Sequence, residues 1–179
     1  MLFRSMKSTK HFISMVVVGI LILSCSMIAF GQSSDIEKHW AKNEIDYIKE
    51  KKIVSGYTDG SFKPNNQITK AEFYKIINGL MGYSDTANIN FTDVNEKNWF
   101  YKEVAKGVKA GYISEKQGSK LNPNAYITRE EVARIIGVNF GLDSSEENLA
   151  EEFTDGQGIS KEAKGYVSSL RKKNYILGY

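Results

Sequence analysis

The sequence has few of the residues that form disulfide frameworks, zinc sites and catalytic centres. Its 179 residues include one cysteine, Cys25, and two histidines, of which only His39 lies beyond residue 31. A lone cysteine excludes an intramolecular disulfide, and one histidine is too few for most zinc sites. The chain also has no phosphate-binding loop or nucleophile motif. We therefore expect no catalytic residue, no metal site and no cofactor.

The N-terminal 31 residues contain no acid but three basic residues, Arg4, Lys7 and Lys10. An apolar run follows from Phe12 to Phe30, and small residues flank Phe30. This order predicts a secretory signal peptide over residues 1–31. Two alternatives stay open: an uncleaved membrane anchor, since the run is long enough, and lipidation at Cys25. Contact with a membrane is expected only through this segment.

The charge of the chain beyond this leader is balanced. The whole sequence has 24 basic and 21 acidic residues, and the leader holds three of the basic ones, which leaves 21 of each sign. Nucleic-acid binding depends on a basic excess that neutralises phosphates. We therefore expect no nucleic-acid partner, and any recognition of an anion must be local.

An internal repeat dominates residues 35–179. A shift of 59 residues superimposes several identical residues without a gap, namely Trp40 on Trp99, Pro64 on Pro123, Thr69 on Thr128, Glu72 on Glu131 and Gly82 on Gly141. A third copy opens when Phe153-Thr154-Asp155 repeats Phe91-Thr92-Asp93. We expect repeat 1 at residues 35–83, repeat 2 at 91–142 and a partial repeat 3 at 153–179, which has only its first half.

Each full repeat predicts a helix, a turn-rich loop and a second helix. The second helix has a capping box, Thr69 with Glu72 in repeat 1 and Thr128 with Glu131 in repeat 2. Gly82 stands where a left-handed C-terminal cap is expected. In repeat 1 the first helix is predicted to end near residues 53–54.

A cation occupies the first position of the second helix in both repeats, Lys70 and Arg129. It opposes the helix dipole at a cost of about 0.3–1 kcal/mol. Free N–H groups at a helix N-terminus suit an anion, and an added cation would complete a site for a carboxylate or phosphate. The alternative is a side chain that simply lies in solvent.

These motifs closely resemble the S-layer homology family. In repeat 1 the resemblance rests on Asp35, His39-Trp40-Ala41, the stretch Ser55–Pro64 and Ile68–Phe73. Repeat 2 resembles the family through Phe91–Val94, Trp99 and Ile127–Glu131. The resemblance implies a mainly α fold of helix-loop-helix repeats, packed as a pseudo-threefold helical bundle whose third repeat is incomplete here.

The resemblance also implies a function. Family members bind secondary cell-wall polysaccharides attached to peptidoglycan, often through a pyruvylated sugar, in grooves between repeats. This chain is then expected to be exported to a bacterial cell wall or cell surface, of Gram-positive type, and to anchor there without a covalent bond.

The ligand-binding residues implied by the resemblance lie in the loops and helix starts. Lys70 and Arg129 would hold the carboxylate, and Asp59, Gly60 and Ser61 would bring backbone N–H groups close. Trp40 or Trp99 would stack on a sugar face, or would instead lie in the bundle core. Repeat 2 lacks the aspartate-glycine loop of the family, so we expect the best-formed site in repeat 1, and we expect Lys70→Ala to weaken wall binding without unfolding the protein.

Two other functions compete with anchoring. A glycosidase needs two positioned carboxylates, but the acids here lie in caps, turns and helix faces. A structural or self-associating surface protein, pairing with another copy or with a partner chain, needs no ligand site at all. A mass in solution that depends on concentration would distinguish it from a monomeric polysaccharide binder.

Overall fold

The computed structural model describes residues 34–116 and 118–177. The described chain divides into two units, one of residues 34–46 and 55–64 and the other of 47–54 and 65–177. The signal segment predicted at residues 1–31 lies outside the described residues, as do residues 178–179 of the predicted repeat 3.

The described part of the chain is mainly α-helical, as predicted, and contains no strand apart from one isolated antiparallel bridge between Thr69 and Tyr126. Its five α-helices are α1 (Lys42–Glu50), α2 (Lys70–Met81), α3 (Tyr101–Lys109), α4 (Arg129–Asn139) and α5 (Lys161–Lys172). Short 3-10 turns cover Ser34–Ile36, Asn148–Glu152 and Gly156–Gly158. Helix α1 ends at Glu50, three to four residues before the predicted end. Within the described ranges, no helix combines the length and apolar character needed to cross a membrane.

Both predicted capping boxes are present. The Thr69 hydroxyl accepts from the Glu72 N–H at 3.2 Å, and the Glu72 carboxylate accepts from the Thr69 N–H at 2.7 Å. Thr128 and Glu131 make the same pair of bonds in α4, at 3.3 and 3.0 Å. Gly82 adopts the left-handed conformation expected of a C-terminal cap, with φ of 70°. The local sequence therefore determines where α2 and α4 begin.

An aspartate clamp recurs in the two full repeats. In the first unit, Asp35 accepts hydrogen bonds from the backbone N–H groups of Phe62 and Lys63, the shortest at 2.6 Å. In the second unit, Asp93 accepts from the N–H groups of Leu121 and Asn122 at 2.9 and 2.7 Å.

The clamp holds a strained turn in place. Lys63 and Asn122 have φ of 56° and 54°, a left-handed conformation that costs a side-chain-bearing residue about 1–2 kcal/mol. Hydrogen bonds to a carboxylate are strong enough to offset that cost.

The core of the second unit has two parts. Helices α2 and α3 pack through Ile77, Val104 and Tyr112, and a buried polar network joins them, because Asn78 donates to Glu103 and accepts from the Tyr112 hydroxyl at 2.7 Å.

Helices α4 and α5 form the other part of this core. They pack closely because Gly137 lets the Tyr166 ring approach, and a Cβ at position 137 would lie 2.2 Å from that ring. The first half of repeat 3 therefore packs directly against the second helix of repeat 2.

We predict that Asp93→Ala lowers the free energy of unfolding by about 2 kcal/mol, because it removes two charge-assisted hydrogen bonds from a strained turn. Urea unfolding followed by circular dichroism measures this. Asp85→Ala, in an exposed connector, is the matched control and should change stability by less than about 0.5 kcal/mol. Equal effects of the two substitutions would contradict the clamp.

Candidate functional site

The N-terminus of α2 is closed by backbone groups of repeat 2. The Lys70 N–H donates to the Ala125 carbonyl and the Ala71 N–H donates to the Pro123 carbonyl, both at 2.9 Å. The Glu72 N–H donates to the Thr69 hydroxyl. The free N–H groups that an anion would need at this terminus are therefore already satisfied.

The Lys70 ammonium is also engaged, because it donates to the Glu131 carboxylate. Both side chains are partly buried. Burial raises the pKa of Glu131, but the hydrogen bonds from Lys70 and Thr128 outweigh it, so that this pKa lies below its ordinary value of 4.5. The alternative that the Lys70 side chain simply lies in solvent is wrong, because this ion pair joins the start of α2 to the start of α4.

The equivalent terminus, at α4, has different surroundings. Thr128, Arg129 and Glu130 line a cavity of about 700 Å³ whose opposite wall comes from residues 152–159 and from α5. The Glu130 N–H, which corresponds to the Ala71 N–H in α2, has no hydrogen-bond acceptor within the described residues. Of the two predicted cations, Arg129 is the one beside an open volume, so the cavity lies at repeat 2 rather than at repeat 1.

The lining of this cavity is mixed in charge and partly apolar. Its charged residues are Arg129, Glu130, Glu152, Asp155 and Arg171. Apolar side chains complete it, namely Ala133, Phe153, Ile159, Val167, Ile176 and Leu177. A groove of this composition suits a ligand with both polar groups and an apolar face.

The loop Asp59-Gly60-Ser61 does not offer its N–H groups outward. The Gly60 N–H donates to the Tyr57 carbonyl at 3.0 Å, and the Ser61 N–H donates to the Asp59 carboxylate at 2.9 Å. Hydrogen bonds from the Ser61 hydroxyl and N–H, with the ion pair to Lys63, lower the pKa of Asp59 to about 2. The expected contact between these N–H groups and a ligand therefore has no support in the geometry.

Both tryptophans are exposed. Trp40 is 87% exposed and Trp99 is 58% exposed, so the alternative that placed them in the bundle core is wrong. Two indole rings at equivalent repeat positions are available to stack on a ligand. Sugar stacking therefore stays a prediction.

No group of three or more potential metal-ligating side chains lies together in residues 34–116 and 118–177.

Comparison with known proteins identifies the repeats. The model of the S-layer homology domain matches residues 34–73 and 90–133. This chain belongs to the S-layer homology family. The matched segments contain all seven predicted site residues.

Three relatives illustrate where S-layer homology repeats of this kind occur. The exoglucanase XynX of Acetivibrio thermocellus is 36% identical over 81% of this chain and 14% of its own length. The surface-layer 125 kDa protein of Lysinibacillus sphaericus is 26% identical over 96% of this chain and 15% of its own. The cellulosome-anchoring protein of A. thermocellus is 39% identical over 43% of this chain and 18% of its own. The chain thus spans less than a fifth of the length of each.

Sequence reasoning missed part of the cavity. Asp155 and Arg171 line it, but they lie in the partial S-layer homology repeat, which lacks the second helix whose first position drew attention to Arg129. The signal for Asp155 was present in the repeated Phe-Thr-Asp triplet. Arg171 lies near the end of α5 and has no counterpart in a motif.

We predict that Glu131→Gln destabilises the protein by removing the charge of the Lys70–Glu131 ion pair. Glutamine preserves the shape of the capping residue, so the effect reports on the charge alone. At pH 7 the variant should be about 1 kcal/mol less stable than the parent. Since the folded pKa of Glu131 is depressed, its contribution is present above its ordinary value of 4.5 and is lost as the pH falls through the folded pKa.

Urea midpoints of parent and variant between pH 7 and pH 3 measure this dependence. The two midpoints should converge at acid pH. Glu147→Gln, at an exposed carboxylate that forms no ion pair within the described residues, is the control. A difference between parent and Glu131→Gln that stays constant with pH would contradict the ion pair.

Proposed function

We propose that this chain attaches to a bacterial cell surface without a covalent bond, by binding a secondary cell-wall polysaccharide linked to peptidoglycan. The ligand group we propose is an anionic, pyruvylated sugar. The S-layer homology repeats support attachment, since relatives that share them include a surface-layer protein and a cellulosome-anchoring protein. The location that follows is the cell surface of a Gram-positive bacterium, after export by the leader at residues 1–31.

The observation that carries this proposal is the contrast between two equivalent cations. Lys70 is held by Glu131, whereas Arg129 lies beside a cavity of about 700 Å³. A guanidinium binds a carboxylate through two parallel hydrogen bonds, which an ammonium does not offer. We therefore assign the carboxylate of the polysaccharide to Arg129, and Lys70 to holding repeat 1 against repeat 2.

Exposed tryptophans supply the second kind of contact. A flat apolar ring covers the C–H face of a pyranose. Trp40 and Trp99 occupy the same position in each repeat, so a polysaccharide with repeating sugars matches their repetition. The proposed boundaries remain residues 35–83, 91–142 and 153–179, in a pseudo-threefold arrangement.

Catalysis is not part of the proposal. The chain matches the exoglucanase over 14% of that enzyme's length, and the amylopullulanase of Thermoanaerobacterium thermosulfurigenes over 8% of its length. The shared part corresponds to the S-layer homology region. We propose that this region serves attachment in the present chain too.

Self-association is the second candidate function. Tyr175 and Leu177, near the cavity end of α5, are 71% and 68% exposed, and such apolar exposure is typical of an interface. A sedimentation-velocity series from 1 to 100 μM protein distinguishes the candidates. A constant monomer mass together with wall binding supports anchoring, and a mass that rises without wall binding supports self-association.

We predict that residues 32–179 co-sediment with Gram-positive sacculi that keep their secondary polysaccharide, and not with sacculi from which it has been extracted. The polysaccharide is the only component that differs between the two samples. Equal sedimentation with both would contradict the proposed ligand.

We predict that Arg129→Ala weakens wall binding at least tenfold, because a charge-assisted, two-pronged contact is lost. Lys70→Ala should instead lower stability while changing wall affinity less than threefold. Lys102→Ala, at an exposed position on α3, is the control for loss of positive charge. If Lys70→Ala weakens binding more than Arg129→Ala, the assignment of the carboxylate is wrong.

We predict that Trp40→Ala and Trp99→Ala each weaken wall binding about threefold to tenfold. Because both rings are exposed, the unfolding free energy should change by less than about 0.5 kcal/mol. Tyr47→Ala removes another exposed aromatic ring and should leave binding unchanged. Binding isotherms with intact sacculi provide the comparison, and unaltered affinity in a Trp40→Ala, Trp99→Ala double variant would exclude stacking.

A further inference from the structure

Each second helix packs against the first helix of the repeat that follows it. Helix α2 of repeat 1 pairs with α3 of repeat 2, and helix α4 of repeat 2 pairs with α5 of repeat 3. Helix α1 is the first helix of repeat 1, and no second helix precedes it within residues 34–116 and 118–177. The pattern that covers α3 and α5 therefore assigns no helix of the described chain to α1.

One pair of equivalent positions takes part in both pairings. Where α2 meets α3, the buried Asn78 amide donates to the Glu103 carboxylate at 2.8 Å and to the Glu103 carbonyl at 2.9 Å. Gly137 of α4 lies 59 residues after Asn78, and Tyr166 of α5 occupies the position of Glu103 in the next repeat. The Tyr166 ring fills the space that the glycine leaves. Each second helix thus has a residue that matches the first helix it covers.

The two matched pairs are not interchangeable. Placing α2 on α5 would bring Asn78 against the Tyr166 ring, where even a Cβ at position 137 would lie 2.2 Å from the ring. Placing α4 on α3 would deprive the Glu103 carboxylate, whose side chain is only 17% exposed, of its amide donor. Losing a hydrogen bond to a largely buried carboxylate is unfavourable. A glutamate at this position therefore selects an amide, and a tyrosine selects a glycine.

Glu44 occupies the same position in α1. It lies 59 residues before Glu103 and is exposed. Its carboxylate forms no hydrogen bond and no ion pair within the described residues. The lysine that pairs with Glu103, Lys106, corresponds in α1 to Tyr47, which is also exposed. The first helix of repeat 1 therefore presents the residue that selects an amide, without the helix that would supply it.

We propose that the exposed face of α1 around Glu44 binds the second helix of an S-layer homology repeat from another protein, one with an asparagine at the position of Asn78. The asparagine amide would donate to Glu44 as Asn78 donates to Glu103. A folded second copy of this chain does not fit, because its Asn78 is 1% exposed and already bonded, and its α4 has a glycine there. This surface shares no residue with the cavity beside α4 and does not depend on sugar binding.

Labelled peptides with the sequence of a second helix test this surface through their fluorescence anisotropy on addition of residues 32–179. One peptide comprises residues 67–83 of this chain, and the matched control is the same peptide with Asn78→Ala. Alanine favours a helix more than asparagine does, so weaker binding of the control does not reflect a loss of helix.

The asparagine peptide should bind at least tenfold more tightly than the alanine peptide, because the control lacks a hydrogen bond to a carboxylate. The Glu44→Ala protein should lose most of that preference. Glu50→Ala, at an exposed glutamate on another face of α1, is the control and should keep it.

Hydrogen exchange locates the bound peptide. The amides of α1, Lys42–Glu50, should exchange more slowly when the asparagine peptide is present. Protection of α3 alone would mean that the peptide replaces the chain's own α2, and this result would overturn the proposal. Absence of binding at about 1 mM peptide, equal affinity of the two peptides, or an unchanged preference in Glu44→Ala would overturn it as well.

Discussion

The arrangement of the second unit depends on two backbone hydrogen bonds, from the N–H groups of Lys70 and Ala71 to the carbonyls of Ala125 and Pro123. They let the loop of repeat 2 satisfy the exposed end of the second helix of repeat 1. The Lys70–Glu131 pair then fixes the register between the two repeats. A helix terminus that is satisfied in this way has no remaining donors for a ligand. The same terminus in repeat 2 faces a cavity instead, and this difference determines which cation we assign to binding.

The local features of the fold were predictable because their causes are local. A capping box needs a threonine and a glutamate three residues apart, and both boxes are present where the sequence indicates them. The partners of long-range contacts were not predictable in this way. Lys70 and Glu131 are 61 residues apart, and a cation that opposes the helix dipole gave no indication that an acid of the next repeat neutralises it. The exposure of Trp40 likewise depends on tertiary packing, since a tryptophan at a helix start is compatible with a core or a surface position.

The candidate site shows how repeats with one ancestral pattern acquire different roles. Asp35 and Asp93 stabilise strained turns, and Asp155 presents the same group to a cavity. Lys70 and Arg129 occupy the same helical position, but one is a structural link and the other lines the cavity. The motif alone therefore indicates what a residue is able to contact, and its neighbours decide what it does contact. The role of a residue in one repeat is therefore assigned to the equivalent residue of another repeat only after the contacts of both have been compared.

The central claim is that ligand binds at the start of α4 and not at the start of α2. The most direct measurement is a ¹H–¹⁵N NMR titration of residues 32–179 with solubilised secondary wall polysaccharide, with backbone and arginine side-chain signals resolved. The account predicts that the Arg129 Nε–H signal and the amides of residues 128–130 and 152–159 shift, while those of Lys70, Ala71 and Tyr126 stay unchanged. Shifts centred on Lys70 and Tyr126, with none at Arg129, would contradict it.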